Sequence, residues 1–158
     1  MFELRDILIA ALEEAGLTAR SAPDGEPVIR PGKTVCTVEL EESDVTDTAF
    51  GQYLGTLEHP EHGPLPLFGR RFRTRAALRL FSPDGPEACD GAVQTALDVL
   101  LRLQGLRAGE LHLDKADWDD AAGAFTRCVT VQLQGMLYCL QTDEGAAFTD
   151  FTLVPTII

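Results

Sequence analysis

The chain has 158 residues, of which 45% are hydrophobic and 24% are charged, a balance typical of one folded domain. Its 25 Asp and Glu outnumber its 13 Lys and Arg, and the formal net charge of -12 argues against binding to nucleic acid or to an anionic membrane surface. Residues 1–30 lack the pattern of a secretory signal, and no run approaches the roughly 20 apolar residues of a membrane span. The four cysteines (Cys36, Cys89, Cys128 and Cys139) form no CxxC pair, which favours reduced, buried thiols over a zinc site or a disulfide scaffold.

The first half of the chain is predicted to contain one helix, two strands and a long loop. Apolar residues at helical spacing from Leu4 onward predict a helix over residues 3–15, which Gly16 ends. Alternation predicts strands over residues 34–40 and 71–81. Residues 41–69 show no sustained period and contain four Gly and three Pro, so we expect a long insertion loop there.

The second half is predicted to contain a helix followed by three strands. The helix begins at Pro86 and reaches about Leu103. Residues 110–118 and 125–140 read as a hairpin in which Gly135 marks a bulge, and residues 142–158 as an extension with a last strand over 147–154. The element order predicts a single α+β domain over residues 1–158, with a mostly antiparallel sheet and two helices packed on one of its faces.

Recognisable catalytic motifs are absent from the sequence. It contains no GxGxxG or GxxxxGK[ST] phosphate loop and no GxSxG nucleophile elbow. His59 and His62 lie three residues apart beside Glu58 and Glu61, a set that can bind a divalent cation. Because no third protein ligand can be named for a closed site, an exposed polar loop is the simpler interpretation.

Charge is segregated along the chain. Five of the thirteen basic residues fall within ten positions: Arg70, Arg71, Arg73, Arg75 and Arg79. An acidic block lies elsewhere in the sequence: Glu39, Glu41, Glu42, Asp44 and Asp47. These charges either cover a solvated sheet face or form a head-to-tail interface, in which the arginines of one subunit meet the carboxylates of the next and close a ring.

The chain resembles tail terminator proteins of long-tailed bacteriophages and related prophage tail-completion proteins. The resemblance rests on the opening helix around Leu4–Leu8, the basic strand over 72–81, the turn at 82–85 that leads into the second helix, and the closing hairpin over 118–140. It implies a non-enzymatic α+β subunit without a cofactor. Such a subunit forms a hexameric ring on the tail tube, contacts a tube or sheath protein and joins the tube to head-completion proteins.

The resemblance also implies roles and a location. The basic strand becomes a subunit or tube interface, and apolar residues of the insertion become docking residues: Phe50, Tyr53, Leu54 and Phe68. The expected location is the host bacterial cytoplasm during assembly and then the virion tail. Three alternatives stay open: a baseplate or tube-initiating subunit, a small metal-assisted enzyme using the His59 and His62 loop, and an acidic module that mimics nucleic acid.

Overall fold

The computed structural model describes residues 2–22, 28–47 and 53–140. Helices α1 (Phe2–Glu14) and α2 (Pro86–Arg102) match the predicted helices to within one residue at each end. These described residues form seven strands: β1 (Thr18–Ser21), β2 (Val35–Asp47), β3 (Tyr53–His59), β4 (Gly63–Ser82), β5 (Leu106–Leu113), β6 (Asp117–Asp119) and β7 (Ala124–Leu140). Phe50 and the predicted C-terminal extension lie outside the described residues.

The strands form one sheet in the order β1-β2-β4-β7-β5. The β3 strand pairs with the first part of β4, and β6 pairs with the first part of β7. Only the short β1–β2 pairing is parallel among these, so the predicted α+β fold with a mostly antiparallel sheet is confirmed.

Apolar and charged residues largely alternate along the central strand β4 over residues 72–80. Phe72, Thr74, Ala76, Leu78 and Leu80 are buried, at most 2% exposed, while the arginines between them are exposed. Successive strand residues point to opposite faces, so the even-numbered face enters the main core and the arginines of the odd-numbered face meet solvent. Ala77 and Phe81 on the odd-numbered face are buried, and Phe81 belongs to a second, smaller cluster.

Both helices contribute to one hydrophobic cluster with the sheet. Leu8 and Leu12 of α1 are fully buried, and Val93 and Ala96 represent the buried stripe of α2. The strand members of the cluster are Ala19, Cys36, Val38, Ala76, Leu78, Leu80, Val129, Val131 and Leu133. Burial of this apolar surface is the main favourable contribution to folding.

The predicted insertion loop is largely strand where the structure describes it. Residues 41–47 extend β2, residues 53–59 form β3 and residues 63–69 begin β4. Periodicity did not indicate these strands because apolar side chains lie on both sides of the β3–β4 ribbon. Pro64 and Pro66 also suggested a loop, yet proline is tolerated at a sheet edge, and the described pairing of β4 with β7 ends at Leu67.

Gly135 does not mark a bulge. The pairing of β4 with β7 runs without a shift through Phe72 and Gly135, which lie directly opposite each other. A Cβ atom at Gly135 would lie 2.6 Å from Cε1 of Phe72, so the glycine leaves room for this buried ring. The described pairings shift register instead at three places: between Leu40 and Ser43 in the β2–β4 pair, between Tyr53 and Gly55 in the β3–β4 pair, and between Ala108 and Leu111 in the β5–β7 pair.

Candidate interaction surface

The exposed arginines of β4 form a column on one face of the sheet. Arg71, Arg73, Arg75 and Arg79 are all exposed and occupy odd positions, whereas five residues of the same strand are buried and occupy even ones: Phe72, Thr74, Ala76, Leu78 and Leu80. We call these four residues the arginine column. Arg70 is also exposed, but it occupies an even position and therefore points to the opposite side.

The acidic block lies on the neighbouring strand β2 of the same chain. Asp44 lies directly opposite Arg73, and Glu39 lies opposite Ala77, between the flanking arginines. The Oε2 atom of Glu41 is 3.9 Å from Nε of Arg75, with 41% and 61% of the two side chains exposed. We call Glu39, Glu41 and Asp44 the acidic column, which runs beside the arginine column.

Glu42 and Asp47, the other two residues of the acidic block, do not belong to the acidic column. Glu42 sits where the β2 register shifts, and its carbonyl oxygen accepts a 2.9 Å hydrogen bond from Oγ1 of Thr74. Asp47 lies opposite Arg70 in the backbone register. The structure thus brings the predicted basic and acidic sets together within one subunit, so complementary charge no longer requires a second subunit. Sequence reasoning missed this pairing, although both segments show charges at alternate positions.

Polar residues continue this face across the sheet. Gln132 of β7 lies opposite Arg75, and Gln134 lies opposite Arg73 on one side and Arg107 of β5 on the other. The resulting surface combines guanidinium groups with side-chain amides. Such groups offer hydrogen-bond donors to carboxylates and to carbonyl oxygens.

A β-ribbon extends from the arginine column, and its base at Leu67 and Phe68 also pairs with β7. We call residues 53–68, which comprise β3 and the first part of β4, the β-arm. Tyr53, Leu54 and Leu57 are 56%, 40% and 47% exposed. Together with Val45 they make up half of the eight large hydrophobic residues that are exposed in the described structure. In the part of the chain that the structure describes, no buried member of either core cluster belongs to the arm.

Local contacts hold the base of the β-arm. The ring centroids of Tyr53 and Phe68 are 5.7 Å apart in an edge-to-face arrangement, and the Tyr53 hydroxyl lies 3.2 Å from Oγ1 of Thr56. Leu54 packs over Gly69, where a larger residue would collide with it. Three of the four predicted docking residues, Tyr53, Leu54 and Phe68, are therefore close together, and the fourth, Phe50, is outside the described residues.

Three leucines of the arm, Leu57, Leu65 and Leu67, lie on the same face as the arginine column. Leu57 is opposite Leu65, and Gly55 is opposite Leu67. Leu65 and Leu67 share the odd-numbered face of β4 with Arg71 and the rest of the column. The surface therefore has an apolar end on the arm followed by a charged centre.

His59 and His62 lie at the tip of the β-arm, where β3 ends and β4 begins. Their rings stack with centroids 4.9 Å apart, and the backbone N–H of Glu61 donates a 3.2 Å hydrogen bond to Nδ1 of His59. Across residues 2–22, 28–47 and 53–140 there is no group of three or more His, Cys, Asp or Glu positioned to hold a metal ion.

Comparison of the sequence with protein-family models and with curated proteins found no match. The assignment of a function therefore depends on the surface itself. Within the described part of the chain, neither helix is long and apolar enough to cross a membrane.

Proposed function

We propose that this chain is a structural subunit of a phage or prophage tail. It forms a hexameric ring that caps the tail tube, and it contacts a tube or sheath protein on one side and a head-completion protein on the other. It acts without a cofactor or enzymatic step. The observation that carries the proposal is the β-arm, a ribbon with exposed Tyr53, Leu54 and Leu57 that contributes nothing to the two core clusters.

The energetics of a β-ribbon support a docking role for the arm. A two-stranded hairpin is marginally stable in water by itself, and a further strand or a packed surface stabilises it. Exposed apolar groups on such a ribbon gain roughly 25 cal/mol for each Å² that a partner buries. A neighbouring subunit or the tube provides that partner in a ring assembly.

We also infer that both helices cover the face of the sheet opposite the arginine column. Val38, Leu78 and Val129 lie in one row across three strands, and each belongs to the cluster that α1 and α2 share. Residues in one row point to the same face. This arrangement leaves the arginine face for contact with the tube.

The test uses tails of the phage or prophage that encodes the chain, assembled without it and then supplied with purified protein. The double variant Leu54→Asp/Leu57→Asp places charge on the arm, and Leu101→Asp is the matched control because Leu101 is 72% exposed on α2. We expect the arm variant to leave tubes uncapped and overlong in electron micrographs and the control to cap them. Normal capping by the arm variant would refute the docking role.

A second variant tests the arginine column, and a labelling experiment tests the position on the tail. We expect Arg71→Glu/Arg73→Glu/Arg75→Glu to reduce capping, because it reverses the charge of the surface that meets the tube. Gold-labelled antibody should mark the head-proximal end of the tail. Labelling of the distal end would instead identify a baseplate or tube-initiating subunit, and no labelling of tails would overturn the proposal.

A further inference from the structure

The acidic and arginine columns run side by side over the same length of the sheet. Asp44 and Arg73 share a row, Glu41 and Arg75 form an ion pair, and Glu39 falls between Arg75 and Arg79. All of these side chains belong to exposed residues. A surface with two parallel columns of opposite charge is its own complement.

We propose that two copies of the chain pair face to face through these columns. The two-fold axis lies midway between the two facing sheets. It runs parallel to the strands, above the line that separates β2 from β4. Rotation by half a turn about this axis places the acidic column of each copy over the arginine column of the other and keeps every row at the same height. Asp44 then meets Arg73 of the second copy, and Glu41 meets Arg75, twice in each pair.

The dimensions suit a contact between sheets. Sheets that pack face to face lie about 10 Å apart, a gap that an arginine and a carboxylate side chain bridge together. Strands about 4.8 Å apart and about 3.4 Å per residue give an overlap on the order of 10 Å by 27 Å. This is a small contact, in the class of weak and transient interfaces.

Charge explains why this face, rather than another, would attract a second copy. At a net charge of -12, two copies repel each other over most of their surfaces. The arginine column concentrates four of the thirteen basic residues where the acidic column of a partner can reach them. Arginine suits the contact because its planar guanidinium binds a carboxylate through two hydrogen bonds.

The pairing differs from closure of a ring. A ring needs complementary surfaces on different sides of the subunit, whereas these columns share one face. Since the same face is proposed to meet the tail tube, pairing and capping would exclude each other, and the pair would be a storage form. That last role rests on the proposed function, but the pairing itself does not.

The test is a mixing experiment in sedimentation equilibrium. An acid-only variant carries Arg73→Glu, Arg75→Glu and Arg79→Glu, and a base-only variant carries Glu39→Lys, Glu41→Lys and Asp44→Lys. We expect the unmodified chain to dimerise with increasing concentration and each variant alone to stay monomeric. An equal mixture of the two should form heterodimers, because one copy then supplies two acidic columns and the other two basic ones.

Mixing separates pairing from folding, because it cannot restore the ion pairs within either chain. The matched control Lys33→Glu/Arg102→Glu/Lys115→Glu reverses three exposed charges elsewhere and should dimerise like the unmodified chain. If a triple variant fails to fold by circular dichroism, Arg73→Asp should abolish pairing, and Asp44→Arg/Arg73→Asp should restore it.

Three results would overturn the proposal. They are an unmodified chain that stays monomeric at every concentration, a mixture that stays monomeric, and a mixture that forms only larger closed oligomers. The last result would show that the columns meet head to tail. Tail capping is measured separately, so failure of the pairing and failure of the proposed function remain distinguishable.

Discussion

Single residues in the sheet are selected for space as well as for polarity. A Cβ atom at Gly135 would lie 2.6 Å and 2.8 Å from the ring of Phe72, which is 1% exposed. We expect Gly135→Ala to lower the free energy of unfolding by about 1–3 kcal/mol through overpacking. The control Gly91→Ala lies in α2 with open space around it and should raise that free energy by roughly 0.5–1 kcal/mol. Urea unfolding of both variants checks the prediction, which equal effects would contradict.

Burial of a thiol couples stability to alkaline pH. Burial raises the pKa of Cys36 from 9.0 to about 12, and the nearby Cys128 adds to the effect. Between these two values the unfolded chain releases a proton that the folded chain retains, so the free energy of unfolding decreases as pH rises. Burial also raises the pKa of Cys89. We expect Cys36→Ala to flatten this decrease by about 1.4 kcal/mol per pH unit above about pH 9 in urea titrations. Parallel pH profiles for the two proteins would refute the assignment.

At the scale of elements, Arg127 joins the second helix to two strands. From β7 it forms an ion pair with Asp90 of α2, and its Nε donates a 2.8 Å hydrogen bond to the carbonyl oxygen of Asp114, just after β5. Lysine retains the charge but cannot reproduce this forked geometry. We expect Arg127→Lys to lower the free energy of unfolding by about 1 kcal/mol, a value reduced by the 53% exposure of Asp90.

The control for this prediction is Arg107→Lys, at an exposed position on β5. Surface substitutions of this kind change the free energy of unfolding by less than about 0.5 kcal/mol. Urea unfolding monitored by circular dichroism measures both variants. If Arg127→Lys has the same free energy of unfolding as the unmodified chain, Arg127 contributes only its charge, and its two contacts do not stabilise the packing of these elements.

In the molecule as a whole, stability and assembly depend on different regions. Leu78 is fully buried in the main cluster, and Leu57 on the β-arm is 47% exposed. We expect Leu78→Ala to lower the free energy of unfolding by about 2–5 kcal/mol. Leu57→Asp should change it by less than about 1 kcal/mol while it weakens assembly. Thermal unfolding and tail capping, measured on the same preparations, test the separation, and a large loss of stability from Leu57→Asp would contradict it.

The elements that were predicted well are those with a local signal. Both helices follow apolar stripes and end near glycines, and the predicted strand over 71–81 lies within β4. The short strand β1 was missed because Thr18–Ser21 is too brief to show a period, and the arm was missed because apolar residues face both sides of it. The candidate residues were named from the sequence, but their grouping on one face follows from the register of the sheet.

The sequence by itself determined the net charge, the two helices and the alternation that buries one side of β4, because each depends on residues close together in the chain. Only the tertiary structure decided that Asp44 lies beside Arg73 and that three leucines of the arm continue the arginine column. Strand register is a property of the whole sheet, since a slip of one residue would drive the arginines into the core. The same register places the charges of distant segments on one surface.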